Sequence, residues 1–382
     1  MNEVYAFLQQ RQNEMVQTLR ALVEHESPSH DKAANDSLAQ YLGELFPRLT
    51  GGTAQLITNS ERGNHVRAEW HGDATNAPQM LILTHFDTVW PRGTLQDMPF
   101  RIEDGKAFGP GIFDMKAGIV QGLFALQALR SLQRNVGCKV VFLMTSDEEI
   151  GSQTSRALIE EEAARSRCVL VLEPAAGAQG ALKTARKGTG SFHLTVDGVS
   201  AHAGLDPEKG RSAIEELARQ ILYFHSLSDM ERGTTLNVGV VEGGTASNVI
   251  ASKASAHIDL RVRTKEDADA VLPRIVGAKP FLDGTRVTIS GSLSRPPMER
   301  TEASAILYEK ARHLAAEELG FTLSETAVGG ASDGNYAAHL APTLDGLGAV
   351  GDGAHAAHEH IVIAEMPRRA ALLAHLIEEV SR

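Results

Sequence analysis

The chain has 382 residues and a formal net charge of −11, and no long Lys/Arg cluster offsets that charge, which excludes nucleic acid as the main partner. Its 42% hydrophobic and 22% charged residues suit a soluble globular protein. The length exceeds the roughly 250–300 residues at which single cores stop growing, so two domains are expected. No apolar run approaches a membrane span. The start, MNEVYAFLQQRQNEM, lacks the basic and apolar regions of a secretory signal. Only Cys138 and Cys168 are present, so a disulfide scaffold is excluded and a reducing cytoplasm is expected, with both thiols buried.

Val4, Phe7, Leu8, Met15, Leu19, Leu22 and Val23 recur at helical spacing, as do Leu38, Tyr41, Leu42, Leu45, Phe46 and Leu49. Both segments read as amphipathic helices packed on a sheet. Ser27-Pro28-Ser29 separates them and Gly51-Gly52 ends the second. Strands are expected at 54–58, 65–70 and 80–84. The last is an unbroken apolar run, the mark of a strand buried on both faces. After a Gly/Pro-rich loop ending at Asp114, the pattern is helical from Met115 to Leu132. Two further buried strands, 138–145 and 168–172, flank a helix at 154–164. Strands alternating with helices predict an α/β domain with a mostly parallel sheet covered by helices on both faces.

Beyond about residue 180 the strands alternate polar with apolar. The order is strand 191–196, helix 211–227, strands 235–241 and 254–262, helix 265–276 and strand 286–289. This β-α-β-β-α-β series predicts an inserted ferredoxin-like α+β domain over residues 186–293. Ser294-Arg295-Pro296-Pro297 reads as the return linker. Helices at 303–319 and 366–380 complete the outer domain, residues 1–185 and 294–382.

The three buried strands of the outer domain end in His85/Asp87, Glu148/Glu149 and Glu173, and Asp114 lies at the glycine-rich entry to a helix. Ligands in open α/β sheets gather at the carboxyl ends of strands. Carboxylates crowded at one such edge repel one another and need a cation. Imidazole with carboxylate suits zinc, with manganese or cobalt as alternatives. His355, in a glycine-rich loop with His358 and His360 close by, is a further candidate. Read locally, His202 buttresses its own loop, and Arg261 is as well explained by a salt bridge as by a ligand.

The motifs His85-Phe86-Asp87-Thr88-Val89, Gly109 to Gly118 (GPGIFDMKAG), Ser146 to Gly151 (SDEEIG), Leu172-Glu173-Pro174 and Ser200 to Gly204 (SAHAG) span most of the chain. In this order they resemble the co-catalytic zinc metallopeptidases. That family contains glutamate carboxypeptidases of the carboxypeptidase G type, acetylornithine deacetylase, succinyl-diaminopimelate desuccinylase, aminoacylase and peptidase T. The stretches 87–91, 99–101 and 108–111 tilt the resemblance toward the glutamate carboxypeptidase branch, from which Trp90 and Arg92 depart.

The resemblance implies two divalent metal ions bridged by Asp114, one held by His85 and Glu173, the other by Glu149 and His355, with Glu359 completing the His355 motif. It implies Asp87 as the carboxylate orienting His85, and Glu148 as general base toward a metal-bridging hydroxide. His202 is implied as oxyanion donor, reaching a partner subunit from an inserted dimerisation or lid domain. Asn248 and Arg295, with Arg261, are the candidate contacts to a substrate carboxylate. The implied activity is cleavage of an amide next to a C-terminal amino acid, with glutamate first, on a small peptide or N-acyl amino acid. The alternative is an N-acyl-amino-acid deacylase or dipeptidase. A non-catalytic binding protein is the rival from another class, and the complete ligand set speaks against it.

Overall fold

Strand 79–85 lies at the heart of a six-stranded mixed α/β sheet in a computed structural model that describes residues 2–71 and 78–382. The strand order is Thr53–Ile57, His65–Trp70, Val140–Thr145, Gln79–His85, Ser166–Val171, Thr343–Leu344. The last four are mutually parallel, and the first two are joined to them antiparallel. Alternate residues of the central strands enter two separate cores. Met80, Ile82, Val140, Phe142, Met144 and Leu170 pack into one. Leu81, Leu83, Val141, Leu143, Val169 and Val171 pack into the other. Both faces are therefore covered, which explains apolar runs without alternation. Each fully buried Leu, Ile, Val or Phe side chain contributes about 1.5–3 kcal/mol.

The chain divides into two compact units. The first comprises residues up to Ala185, Arg300–Ala327 and Ser332–Arg382; the second is Arg186–Glu299 with Val328–Ala331. In the first, the helix Ala117–Ser131 is buried almost all round. The stretch Ile112–Ser131 is long and apolar enough to cross a membrane by composition, but 89% of its most apolar window is buried inside the protein. The helix expected from Met115 to Leu132 is thus a core helix, and the expectation that no apolar run approaches a membrane span does not hold for its length and composition. Gly118 lets it approach the sheet closely, since a Cβ there would lie 2.1 Å from the Leu172 carbonyl oxygen.

Where periodicity predicts one helix over 4–23, there are two, Glu3–Gln10 and Gln12–Glu24. Arg11 donates its N–H to Leu8 O, three residues back, and the tightened turn breaks the ladder. Short strands at Leu182–Arg186, Gly351–Asp352 and His360–Val362 were not foreseen, being too brief to show a period.

In the second unit the elements run Gly188–Asp197, Ala213–Ser226, Thr235–Gly243, Lys253–Val262, Lys265–Val276 and Arg286–Arg295. The four strands form one antiparallel sheet with 235–243 at one edge and 286–295 at the other. Phe192, Leu194, Val196, Ile258 and Leu260 face a core shared with the two helices, and the polar residues between them take the other face. The last strand extends through Ser294 and Arg295, which pair in the sheet region opposite Thr189. The expected linker therefore starts later, at Pro296, where the ladder loses its donor.

Candidate metal centre

Three neighbouring parallel strands end level. His85 is in register with Thr145, and Leu83 with Val171. His85 closes its strand, the turn Glu148–Ile150 follows the next, and Glu173 lies just beyond the third. Asp114 is brought to the same edge by the turn Ile112–Lys116, which enters the buried helix. His355 arrives from the loop after Gly351–Asp352 in a left-handed conformation, φ 62°. For a non-glycine residue that costs about 1–2 kcal/mol, and in this conformation the half-exposed ring meets Asp114 and Glu149.

The ligand atoms form two sets that share Asp114. His85 Nε2 lies 3.1 Å from Asp114 Oδ1 and 3.4 Å from Glu173 Oε1. His355 Nε2 lies 3.5 Å from Asp114 Oδ2 and 3.2 Å from Glu149 Oε2. Each carboxylate oxygen of Asp114 thus faces a different imidazole. Single donor atoms of His85, Asp114 and Glu149 fall within 4.8 Å of one another, so the two sets adjoin across Asp114.

The electrostatics carry the same message. Burial disfavours a charged His85, yet hydrogen bonds to Asp114, Asp87 and Glu173 raise its pKa well above the ordinary value. Contacts with Asp114 and Glu149 lift His355 to about 10. Burial works to raise Asp114, but the two imidazoles hold it below the usual carboxylate range. Glu149 is pushed up, first by burial, and its Oε1 is buried without a hydrogen-bond partner. A buried anionic oxygen without a donor is expensive. The donor set, the orphaned oxygen and the acidic field that raises both imidazoles all fit a divalent metal ion, which would take the place of the ring protons. Oxygen and imidazole donors suit zinc, manganese or cobalt.

Around these groups lies a layer of buried anions that orient them. Asp87 is fully buried. Its Oδ1 accepts from the Glu148 N–H at 3.1 Å and sits 3.4 Å from His85 Nδ1. Its Oδ2 accepts from the Glu149 N–H at 3.2 Å and from Ser29 Oγ at 2.7 Å. His85 Nδ1 lies closer still to the Asp87 backbone carbonyl, at 3.1 Å, so Asp87 fixes the His85 ring through backbone and carboxylate and the Glu148–Glu149 turn through the carboxylate. The Ser27–Ser29 stretch, expected only as a separator, is bonded to 86–88 and supplies that hydroxyl. Asp147 braces the far side of the turn, accepting from Thr154 N–H and Oγ1 and from Ser155 Oγ. Glu148 is buried in the same turn, and its negative charge helps raise His85.

Glu359 is the residue whose part sequence reasoning missed. It is buried and accepts backbone N–H groups from Gly111 at 2.9 Å, Phe113 at 2.9 Å and Asp114 at 3.1 Å. The Trp90 indole N–H joins them at 2.9 Å. Burial pushes its carboxyl pKa up against the pull of these four donors. The only signal in the sequence was its place four residues after His355.

The remaining candidates all lie in the second unit. His202 is exposed, and its Nδ1 accepts from the Gly204 and Leu205 N–H groups, each at 3.1 Å. That assigns the ring proton of the neutral imidazole to Nε2. Asn248 is brought beside it, since the Asn248 carbonyl accepts from the Ala203 N–H and Val249 bridges His202. Arg261 and Arg295 pair with Thr189 from opposite sides. The Arg261 guanidinium is engaged by Asp259 at 2.8 and 3.1 Å.

A doubly covered α/β sheet with two imidazoles and three carboxylates at its carboxyl edge defines a metallohydrolase scaffold. The model of peptidase family M20/M25/M40 matches residues 81–379, and the chain belongs to that family. It is therefore a metallopeptidase-type hydrolase acting on amide bonds. It is 29% identical to carboxypeptidase G2 of Pseudomonas sp. (strain RS-16), over 99% of this chain and 92% of that protein. It is 26% identical to a succinyl-diaminopimelate desuccinylase of Dechloromonas aromatica (strain RCB), over 83% and 87%. Among solved structures, the aminopeptidase PepT of Bacillus cereus ATCC 10987 superposes with a TM-score of 0.82 at 24% identity, over 97% of this chain and 99% of that one.

Proposed function

We propose that this protein is a dinuclear metal-dependent carboxypeptidase that cleaves the amide bond preceding a C-terminal amino acid, glutamate above others. The observation that carries the dinuclear part is the division of the other four ligand groups into two imidazole–carboxylate pairs, whose imidazoles each face a different oxygen of Asp114. His85 and Glu173 would hold one ion, Glu149 and His355 the other, and Asp114 both, with zinc as the metal. Such a pair, when bound, polarises the amide carbonyl and makes water acidic enough to attack near neutral pH.

The chain's own residues do the rest. Asp87 keeps the His85 ring and the Glu148 turn in place. Glu148 accepts the proton of the attacking water and passes it to the leaving nitrogen, work that contributes about 10²–10⁴-fold. His202, with Nε2–H as its donor, stabilises the developing oxyanion of a partner subunit. Asn248 and Arg295, with Arg261, receive the substrate's terminal carboxylate. The protein acts as a cytoplasmic homodimer associated through residues 186–293, on small peptides or N-acyl amino acids and not on nucleic acid or membranes.

Similarity to carboxypeptidase G2 over nearly the whole chain supports the glutamate reading. The desuccinylase relatives favour a second one, an N-acyl-amino-acid deacylase or dipeptidase using the same groups. Turnover of a folate-type glutamyl amide against that of acetylated amino acids separates them. Faster cleavage of the glutamyl amide is expected; faster cleavage of acetylated non-acidic amino acids would establish the second reading.

A further inference from the structure

Within the first unit a cleft of about 690 Å³ opens beside Glu149, in the size range of small-molecule sites. Its apolar walls come from Pro28, Val89, Trp90, Pro91 and Ile150. Trp90 is the large flat element among them, and it is fixed. Its only polar atom donates to Glu359 Oε2 at 2.9 Å, an oxygen that also accepts from the Gly111 N–H, so turning the indole would break one of the four hydrogen bonds that anchor Glu359. The polar need of the ring is met on that side, leaving apolar ring surface for the half-buried cleft wall.

The cations at the cleft are already matched. Arg92 Nη1 lies 3.3 Å from Asp31 Oδ2, and Lys32 Nζ lies 2.8 Å from Asp36 Oδ2. His30 Nδ1 faces the Arg62 guanidinium at 3.3 Å, the acceptor's part in that contact. An acidic group entering the cleft would give up water and find each cation engaged by a carboxylate or occupied elsewhere. A flat apolar group would exchange water for indole and proline surface.

We propose that this cleft is the subsite for the acyl half of the substrate, and that Trp90 makes it select a bulky, flat apolar acyl group over acetyl and over succinyl. The proposal rests on the amide-hydrolase reading above, and it separates this chain from its desuccinylase relatives by the chemistry of one wall.

The test holds the glutamate half constant. With N-benzoyl-, N-acetyl- and N-succinyl-L-glutamate offered to the zinc-loaded enzyme, kcat/KM is highest for the benzoyl compound, by at least about tenfold. Trp90→Ala lowers the benzoyl-to-acetyl ratio by about tenfold, whereas Trp90→Phe, which keeps a smaller flat apolar wall and loses the N–H with the five-membered ring, holds it within about threefold. Acetyl or succinyl equal to or above benzoyl, or a ratio unmoved by Trp90→Ala, overturns the subsite. If none of the three is cleaved, the glutamate reading fails, and a second measurement decides the subsite by itself. The chain has two tryptophans, and Trp70 is buried at 8% exposure. Benzamide, a flat ring without a charge, should quench indole fluorescence saturably in the wild type and not in Trp90→Phe. Absence of saturable quenching in the wild type, or its persistence in Trp90→Phe, overturns the proposal.

Discussion

The two units hold their functional candidates by different means. In the first, buried charge places most of the centre: Asp87 holds His85 and the Glu148–Glu149 turn, and Glu359 holds the loop of Asp114, while His355 reaches it from an exposed loop. In the second, His202 and Asn248 stand exposed and are tied only through a few backbone hydrogen bonds. Low-dielectric surroundings make the first arrangement stiff and costly to disturb. An exposed loop is cheap to move, which suits a group that meets substrate rather than metal. The difference predicts that substitutions around the buried anions of the first unit act on metal binding and on the chemical step, and those at the carboxylate contacts of the second on substrate affinity.

The largest effect should come from Glu148→Ala. Losing the general base lowers kcat by about 10²–10⁴-fold, while metal content stays at the wild-type level because Glu148 is not among the proposed ligands. Metal analysis beside steady-state kinetics checks both halves. Activity near that of the wild type would remove Glu148 from the mechanism, and loss of metal would make it a ligand.

Next comes Glu359→Gln. Gln offers one carbonyl oxygen to four donors and turns an NH2 group toward the rest. The loop carrying Asp114 should shift, and metal affinity should fall by about 10–100-fold, read by competition with a chelator. Unchanged affinity would confine Glu359 to a purely architectural part. This residue also shows where sequence reading stops. His85, Glu148, Glu149 and Glu173 were legible because unbroken apolar runs end at them, and a buried parallel strand leaves that trace without any partner being known. Glu359 meets the Asp114 backbone across 245 residues of chain, and backbone donors have no sequence identity. The order of elements in the second unit was legible from polar alternation. The strand end at Arg295 was not, because Ser294-Arg295-Pro296-Pro297 has linker composition and its pairing with Thr189 is long-range.

A smaller effect, on stability, distinguishes the packing of the two units. Gly118→Ala places a Cβ 2.1 Å from Leu172 O, with backbone on both sides. The buried helix must move off the strand that leads to Glu173, at about 1–3 kcal/mol. Gly330→Ala in the second unit meets nothing within 4 Å and should stay within about 0.5 kcal/mol. Thermal or denaturant unfolding compares them. Equal stabilities would mean that the helix and sheet edge adjust freely, and the stiffness attributed to the metal centre would lose its basis.

The smallest stability effect is expected for Arg261→Ala, and here function and structure part most clearly. The Arg261 side chain is 36% exposed and its guanidinium is bidentate with Asp259. Exposed pairs of this kind contribute less than about 1 kcal/mol, so folding should barely register the change. If Arg261 also meets the substrate carboxylate, KM for a glutamyl substrate rises about tenfold or more with kcat held, the signature of binding lost equally from ground and transition states. Arg261→Lys would not restore it, because an ammonium cannot present two parallel donors to a carboxylate. An unchanged KM would assign the guanidinium to Asp259 alone and leave carboxylate recognition to Arg295 and Asn248. The outcome therefore decides whether the polar face of the second sheet contributes to specificity along the strand Lys253–Val262 or only where the chain leaves it, at Arg295.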